Sequence, residues 1–220
     1  MPAFPDLSLE HRLLSLHDAA CVVGMDEVGR GALAGPVTVG AVAVGPHTGQ
    51  PPAGLQDSKL LTAQRRQAMF DKIDSWALGW AVGHASPQEI DCYGIVGGLR
   101  LAGYRALDTL ASSCGPLEQI ILDGSHDWLT PQGETPGNYF GQYVSPLCVT
   151  MRVKADMSCA SVAAASVMAK VLRDALMDKL SQEHPQYQWS RNKGYATVAH
   201  RRAIVDMGPS DVHRLSWKLC

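Results

Sequence analysis

The chain has 220 residues, of which 46% are hydrophobic and 18% are charged, and its formal net charge is −2. This length and apolar content suffice for one sizeable core and exclude an intrinsically disordered protein. No segment reaches the roughly 18–20 apolar residues that a membrane-spanning helix requires, so we predict a protein without a membrane partner.

The two parts of the chain differ in charge. Residues 1–150 carry 8 Lys and Arg against 15 Asp and Glu, whereas residues 151–220 carry 11 against 6. An acidic metal site beside a basic surface for a polyanion would give this pattern, and so would an uneven solvated surface without function. The six cysteines form no C-x-x-C pair, which argues against zinc and predicts thiols in a reducing compartment. Because the N-terminus has no signal-peptide pattern, we expect a cytoplasmic protein.

The first predicted elements are a helix and a hairpin. Leucines between residues 7 and 16 indicate a short helix, and residues 21–25 form an apolar run typical of a buried strand. After a glycine-rich turn, residues 37–44 alternate as a second strand, which we expect to pair with the first.

The next segment combines helices with a third strand. Thr62 is suited to cap a helix that continues to residue 73, and residues 76–85 resemble a strand. Ser86-Pro87-Gln88-Glu89 places an N-cap, a proline and a glutamate where the start of a helix favours them. We predict a short helix there and a longer one over residues 97–110.

Two further strands and a helical C-terminal part follow. Residues 117–122 and 147–153 predict strands, and residues 197–207 predict a helix. From Met157 the chain is rich in alanine and predicts a long helix that packs close to a sheet. The loop between the two strands is expected to be polar and contains these residues: Trp128, Pro131, Gly133 and Pro136. The order of elements predicts an α/β fold with one mixed sheet flanked by helices and a basic, irregular tail over residues 208–220.

The glycine-rich turn at residues 24–31 fits neither of two common phosphate-binding motifs. A phosphate loop would need lysine and Ser/Thr where Arg30 and Gly31 stand, and a dinucleotide fingerprint would open a helix, whereas a strand-like run follows here. The glycines could bring the backbone close to a ligand. The alternative is an ordinary tight hairpin.

Four carboxylates are the candidate catalytic residues: Asp26, Glu27, Asp123 and Asp156. Asp26 and Asp123 close apolar runs, where an unpaired charge would be costly, and Asp156 lies at the start of the long helix. Asp156 could be the N-cap of that helix, a site residue, or both. Clustered carboxylates need cations, and their oxygens suit Mg²⁺ or Mn²⁺, so the pattern predicts metal-assisted phosphate chemistry.

Several blocks together resemble ribonuclease HII, over roughly residues 22–217. They occur in the order found in that family: Gly24-Met25-Asp26-Glu27-Val28-Gly29-Arg30-Gly31 with Gly35-Pro36, Asp57-Ser58-Lys59, Leu122-Asp123-Gly124, Lys154-Ala155-Asp156, Val162 to Lys170 with Arg173-Asp174, Lys193-Gly194-Tyr195-Ala196-Thr197 with His200, and His213-Arg214-Leu215-Ser216-Trp217.

The resemblance implies a ribonuclease H-like fold with a mixed five-stranded sheet, flanking helices and a helical C-terminal part. It implies an endoribonuclease that hydrolyses the RNA strand of RNA–DNA hybrids and cuts 5′ of single ribonucleotides in duplex DNA, leaving 3′-hydroxyl and 5′-phosphate ends. Two divalent ions, Mg²⁺ or Mn²⁺, would be held by the four catalytic carboxylates. The implied substrate-binding residues are these: Gly29, Arg30, Gly31, Lys59 and Tyr195.

The resemblance also shapes what we expect of domains and partners. We expect one catalytic domain over residues 1–220, with a basic helical extension over about residues 180–220, acting as a monomer. The chain stops soon after Trp217, which leaves little room for a sliding-clamp peptide. Ala32, Ser125 and Trp217 depart from the family pattern without removing a carboxylate. The rival hypotheses are a DNA-cutting nuclease of the same fold, a silent nucleic-acid-binding module and a magnesium-dependent phosphatase.

Overall fold

A five-stranded mixed sheet is the centre of the computed structural model, which describes residues 4–131 and 147–220. Its strands are β1 Val22–Val28, β2 Val37–Val44, β3 Gly79–Ala85, β4 Gln119–Asp123 and β5 Cys148–Arg152, in the order β3-β2-β1-β4-β5. β2 pairs antiparallel with β1 and β3, whereas β4 pairs parallel with β1 and β5. The predicted α/β class, the mixed sheet and the hairpin are confirmed.

The helices of the described residues are α1 Ser8–His17, α2 Ala63–Trp76, α3 Pro87–Cys114, α4 Ala160–Glu183, α5 Trp189–Asn192 and α6 Val198–Met207. α3 and α4 cover opposite faces of the sheet. Alternation along β1 and β2 gives each helix its own set of apolar side chains, with Val23 and Val39 on the α3 side and Val22 and Val42 on the α4 side. None of these helices is long and apolar enough to cross a bilayer.

Small residues let α4 lie close to the central strands. A Cβ atom at Gly24 would collide with the backbone of Ser161 and Val162, and one at Gly40 would collide with the Ala165 carbonyl. The alanine-rich first half of α4 is fully buried against this surface. The predicted close packing of this helix on a sheet is therefore confirmed.

Several boundaries differ from the prediction. β3 begins at Gly79 because α2 continues to Trp76. The short helix predicted after Ser86 and the longer one predicted over residues 97–110 are both present within α3, on either side of a kink where Gly94 adopts a φ of +71°, and the second continues to Cys114. Trp128 lies under α3 and is only 1% exposed, so the loop after β4 is not uniformly polar. Gly133 and Pro136 lie outside the described residues.

The start of α4 was also predicted wrongly. The helix begins at Ala160 with Cys159 in the N-cap position, so Asp156 is not its N-cap. Asp156 instead lies in a separate 3₁₀ turn, Ala155–Met157, which follows Lys154 in a left-handed conformation. This extra turn carries the carboxylate away from the helix axis and leaves it available for another role.

The C-terminal elements pack on the loop between β1 and β2. Leu33 and Ala34 of that loop form a buried cluster with Met177, Trp189 and Ile204. The same loop is joined to residue 194 and to the tail, because Leu33 donates to the Gly194 carbonyl (2.8 Å) and accepts from the Arg214 amide (2.9 Å). The C-terminal part thus contributes directly to the surroundings of the glycine-rich turn.

Candidate active site

The parallel pairing of β1 and β4 brings the first two carboxylate positions together. Met25 is the register partner of Leu122 in the parallel pair. Asp26 and Asp123 are the next residues along the two strands, so they lie at the same end of adjacent strands. Asp26 is 6% exposed, and its Oδ1 accepts the amide of Glu27 at 2.8 Å. The strand register therefore fixes both aspartates at one edge of the sheet.

Asp123 links this edge to the turn that carries Asp156. Its Oδ1 accepts the backbone N–H of Ala155 at 2.7 Å, and Ala155 is the first residue of the 3₁₀ turn. Asp156 is 5% exposed. One short hydrogen bond thus ties the Asp123 side chain to the residue that precedes Asp156 in the turn.

The charges of the candidate carboxylates act on one another. Burial raises the pKa of Asp26 well above its usual value, and the charges of Glu27, Asp123 and Asp156 raise it further, while Lys59 lowers it. Burial also raises the pKa of Asp156, with added repulsion from Asp123. Four acids at this edge repel one another, so the site favours any cation that can enter it.

Lys59 supplies a positive charge to this acidic edge. Its Nζ lies 3.4 Å from Asp156 Oδ2 and 3.9 Å from Asp57 Oδ1. Asp57 also accepts the backbone N–H of Lys59 at 3.0 Å, and Ser58 donates to the Ser166 hydroxyl of α4. Burial alone would lower the pKa of Lys59, but the charges of the surrounding aspartates raise it. The predicted phosphate-binding residue is thus anchored beside the carboxylates.

The donor chemistry fits a hard divalent cation. Carboxylate oxygens without nitrogen or sulfur donors suit Mg²⁺ and Mn²⁺ and not zinc. Within residues 4–131 and 147–220, no three Asp, Glu, His or Cys side chains converge closely enough to enclose an ion. The candidate residues lie near one another, but each aspartate makes a separate hydrogen bond. Asp26 accepts from the Glu27 amide, Asp123 from the Ala155 amide and Asp156 from the Lys59 ammonium.

The Gly29-Arg30-Gly31 turn is shaped by contacts from distant residues. Gly29 has a φ of +83°, and a Cβ atom there would collide with the guanidinium of Arg173. Around Gly31, by contrast, a Cβ atom would meet nothing within 4 Å. Arg30 is half-exposed and pairs with Glu27 at 3.3 Å. The first glycine is therefore required by the packing, and the last borders open space.

Tyr195 lies directly beside this turn, 166 residues away in sequence. The backbone N–H of Gly29 donates to the Tyr195 hydroxyl at 3.2 Å, and the Arg173 guanidinium lies 5.8 Å from the ring centroid. Tyr195 is 38% exposed. The structure thus brings together the two segments that the family resemblance assigns to the substrate.

Sequence reasoning gave no role to Arg173 and Arg214, although both belong to the quoted motifs. Both are fully buried, and burial lowers the pKa of each, that of Arg214 to about 9. Arg214 donates to the carbonyls of Gly29 (2.6 Å), Arg30 (2.8 Å) and Gly35. Arg173 donates to Pro36 and Lys193 carbonyls, both at 2.9 Å. Only the folded chain reveals these acceptors, since all are backbone atoms.

The three departures from the family pattern are accommodated. Ala32 is fully buried, and its amide donates to the Gly29 carbonyl at 3.2 Å. Ser125 is exposed. Trp217 lies with its ring 4.8 Å from the guanidinium carbon of Arg214, so an aromatic face covers the cation that holds the glycine-rich turn.

Comparison with known proteins gives the same assignment. The ribonuclease HII family model matches residues 23–220. Ribonuclease HII of Streptomyces avermitilis is 43% identical over 213 residues, covering 97% of this chain and 83% of that protein. The Paracoccus denitrificans ribonuclease HII is 42% identical over 215 residues, covering 97% and 92%.

Solved structures share the fold at lower identity. Ribonuclease HII in its complex with PCNA from Archaeoglobus fulgidus superposes with a TM-score of 0.67 at 24% identity, covering 90% of this chain and 95% of that one. Bst-RNase HIII in complex with Mn²⁺ gives 0.65 at 22% identity, covering 94% and 70%. The sheet and its flanking helices have the fold of the ribonuclease H class, and the matching family is one of metal-dependent hydrolases. The chain belongs to the ribonuclease HII family, whose members are endoribonucleases that act on an RNA strand.

Proposed function

We propose that this enzyme hydrolyses the RNA strand of RNA–DNA hybrids and also cuts 5′ of a single ribonucleotide in duplex DNA, leaving 3′-hydroxyl and 5′-phosphate ends. The observation that carries the proposal is the hydrogen bond from the Gly29 amide to the Tyr195 hydroxyl. It joins a backbone-lined turn next to the carboxylates to an aromatic ring on the substrate-facing surface. An RNA-to-DNA junction can be read by these two groups from its two sides.

Ribose differs from deoxyribose only in its 2′-hydroxyl, so an enzyme that selects RNA must contact that group. In this proposal the turn of Gly29, Arg30 and Gly31 makes the contact through its backbone. The open space at Gly31 leaves room for a sugar to approach. Buried Arg214 binds the Gly29 and Arg30 carbonyls, which fixes the turn before substrate arrives.

Tyr195 would read the next sugar. A flat ring packs closely under a sugar without a 2′-hydroxyl, and the ring is held from behind by Arg173 and at its hydroxyl by Gly29. Lys59 would contact a backbone phosphate, which positions the duplex without reading its bases. This combination favours a deoxyribonucleotide on the 3′ side of the ribonucleotide.

Asp26, Glu27, Asp123 and Asp156 would hold two divalent ions, Mg²⁺ or Mn²⁺. Such a pair activates the attacking water and stabilises the leaving oxygen of a phosphodiester. The residues contribute by fixed orientation: the Glu27 amide holds Asp26 and the Ala155 amide holds Asp123. Support comes from the all-carboxylate donor set and from the relative Bst-RNase HIII, which was solved with Mn²⁺.

We expect a monomeric enzyme with one catalytic domain over residues 1–220, including a basic helical extension from about residue 180, and a cytoplasmic location. Its partners would be the RNA–DNA hybrid and the ribonucleotide-containing duplex. The Archaeoglobus fulgidus relative was solved in a complex with PCNA. Sedimentation of this chain with and without its own clamp protein tests the expectation that it acts without one.

A DNA duplex with one embedded ribonucleotide tests the proposal. Cutting 5′ of the ribonucleotide is expected with Mg²⁺ or Mn²⁺ and none with chelator, and an all-DNA duplex is the matched control. Asp123→Asn should abolish cutting while the variant still binds the duplex. Cutting of the all-DNA control would favour a DNA nuclease, and hydrolysis of small phosphate esters alone would favour a phosphatase. Binding without cutting would favour a silent module.

A further inference from the structure

A buried chain of aromatic and imidazole side chains lies behind Tyr195. Trp189 Nε1 lies 3.0 Å from His200 Nε2, and His200 Nε2 lies 3.1 Å from His213 Nε2. His200 Nδ1 lies 2.9 Å from the Tyr195 carbonyl oxygen, and His213 Nδ1 accepts the Ser210 amide at 2.9 Å. These histidines are at most 1% exposed, and neither has a role in the proposed chemistry.

The donors at the two ends of this chain determine where each hydrogen lies. The Trp189 indole and the Ser210 amide can only donate, so His200 Nε2 and His213 Nδ1 are acceptors. Neutral His213 therefore carries its hydrogen on Nε2 and donates to His200. Neutral His200 carries its hydrogen on Nδ1 and donates to the Tyr195 carbonyl. Every donor in the chain points toward Tyr195.

The surroundings keep both rings uncharged. Burial lowers the pKa of both histidines, that of His213 to about 4; the charge of Arg201 lowers that of His200 further, and His213 would be repelled by a protonated His200. Tyr187 and Trp189 stack with centroids 5.0 Å apart, and Tyr187 meets His213 edge-on at 4.6 Å. A second hydrogen on His200 would lie on Nε2 and face the Trp189 indole and His213 Nε2, both of which are donors in this arrangement, so neutral His200 fits the packing. His213 Nδ1 also lies 3.0 Å from the Ser210 hydroxyl.

Besides the His200 bond, Tyr195 is held by its own loop, by the glycine-rich turn and by the Arg173 guanidinium over its ring. Its amide donates to the Asn192 carbonyl (2.9 Å), and its carbonyl accepts the Thr197 amide (2.8 Å). The His200 bond is the one that reaches this carbonyl from the interior. It therefore fixes how far the Tyr195 ring projects beside Gly29.

We propose that His200, oriented by Trp189 and His213, is a positioning residue that sets the placement of Tyr195 and so the preference for a ribonucleotide followed by deoxyribose. This rests on the proposed function of Tyr195. His200 touches no substrate and acts only through the tyrosine backbone. The signature of this role is a change in the choice between substrates, since a purely structural role would reduce activity on all of them equally.

The test compares two variants that differ in one donor. Asparagine can place an amide N–H near the Nδ1 position of His200, whereas glutamine extends its amide to the Nε2 position. The measured quantity is the ratio of kcat/KM for a duplex with one ribonucleotide to kcat/KM for a uniform RNA–DNA hybrid. His200→Gln should lower this ratio about fivefold, the effect of one net hydrogen bond, and His200→Asn should restore most of it. Exposed His47→Gln is the control and should leave the ratio unchanged.

A double variant separates positioning from general damage. In the Tyr195→Ala background, His200→Gln should have no further effect on the ratio, because the residue through which it acts is gone. An additional fivefold loss in that background would overturn the proposal, as would an equal loss on both substrates in the single variant. If the wild-type enzyme does not cut the single-ribonucleotide duplex, the proposed function fails instead.

Nitrogen-15 NMR of the wild-type enzyme provides a test that needs no variant. The His200 ring should show its hydrogen on Nδ1 and the His213 ring on Nε2, both neutral at pH 7. A protonated ring, or a His200 hydrogen on Nε2, would contradict the directed chain.

Discussion

Replacing Gly29 with alanine should destabilise the whole protein, because this residue is buried in the glycine-rich turn. The backbone there has a φ of +83°, which costs a non-glycine residue about 1–2 kcal/mol. The new Cβ would also displace the Arg173 guanidinium, which is buried and bonded to the Pro36 and Lys193 carbonyls. Losing one such charged hydrogen bond costs about 1.5–3 kcal/mol. We therefore expect a total loss of roughly 3–4 kcal/mol.

Gly31→Ala is the matched control, since its Cβ would meet no atom within 4 Å. Its free energy of unfolding should stay within about 1 kcal/mol of wild type, while its KM for the ribonucleotide duplex rises because the methyl group faces the proposed sugar position. Urea unfolding of both variants in chelator measures the difference in their free energy of unfolding. In a thermal melt, the Gly29 variant should unfold roughly 10 °C below wild type. Equal stability of the two variants would refute the argument from Arg173.

Three further predictions concern charge. Asp26→Asn should abolish cleavage but stabilise the metal-free protein at pH 7. Burial and neighbouring acids raise the pKa of Asp26 in the folded protein above 3.8, so the wild-type protein loses stability as pH rises through that folded pKa. Urea unfolding at several pH values in chelator checks this, and an unchanged slope would contradict it. Lys59→Met should raise KM and destabilise the metal-free protein by less than about 1 kcal/mol, since the Lys59 side chain is 71% exposed where it pairs with Asp156. A KM equal to that of wild type would exclude a phosphate contact. Trp217→Ala should cost about 1–2 kcal/mol by uncovering Arg214, whereas Trp217→Phe should cost less; thermal melts in which both variants match wild type would exclude the stacking role.

Patterns along the sequence predicted the sheet because its strands contain short apolar or alternating runs. Asp26 and Asp123 each follow such a run, and the parallel pairing of β1 and β4 places them at the same end of the two strands. Helix caps such as Thr62 and Ser86 also form as predicted, since their bonds are local. Such features depend on residues a few positions apart.

Features that depend on distant partners were not predictable. Asp156 looked like a helix cap, because the bond from Ala155 to Asp123 that shapes its turn joins two separate segments. Arg173 and Arg214 bind backbone carbonyls, which carry no sequence signature. The family motifs include Arg173 and Arg214, but only the fold shows which backbone carbonyls these side chains bind.

The segment from Gly24 in β1 to Gly29 just after it touches α4 at two points whose separations along the two segments agree. Gly24 packs against Ser161, and Gly29 packs against Arg173. Five strand residues span about 17 Å, and twelve helical residues span about 18 Å. A residue inserted between either pair of contacts would shift one end by several ångströms. Evolution can therefore vary the side chains along this stretch more freely than its length.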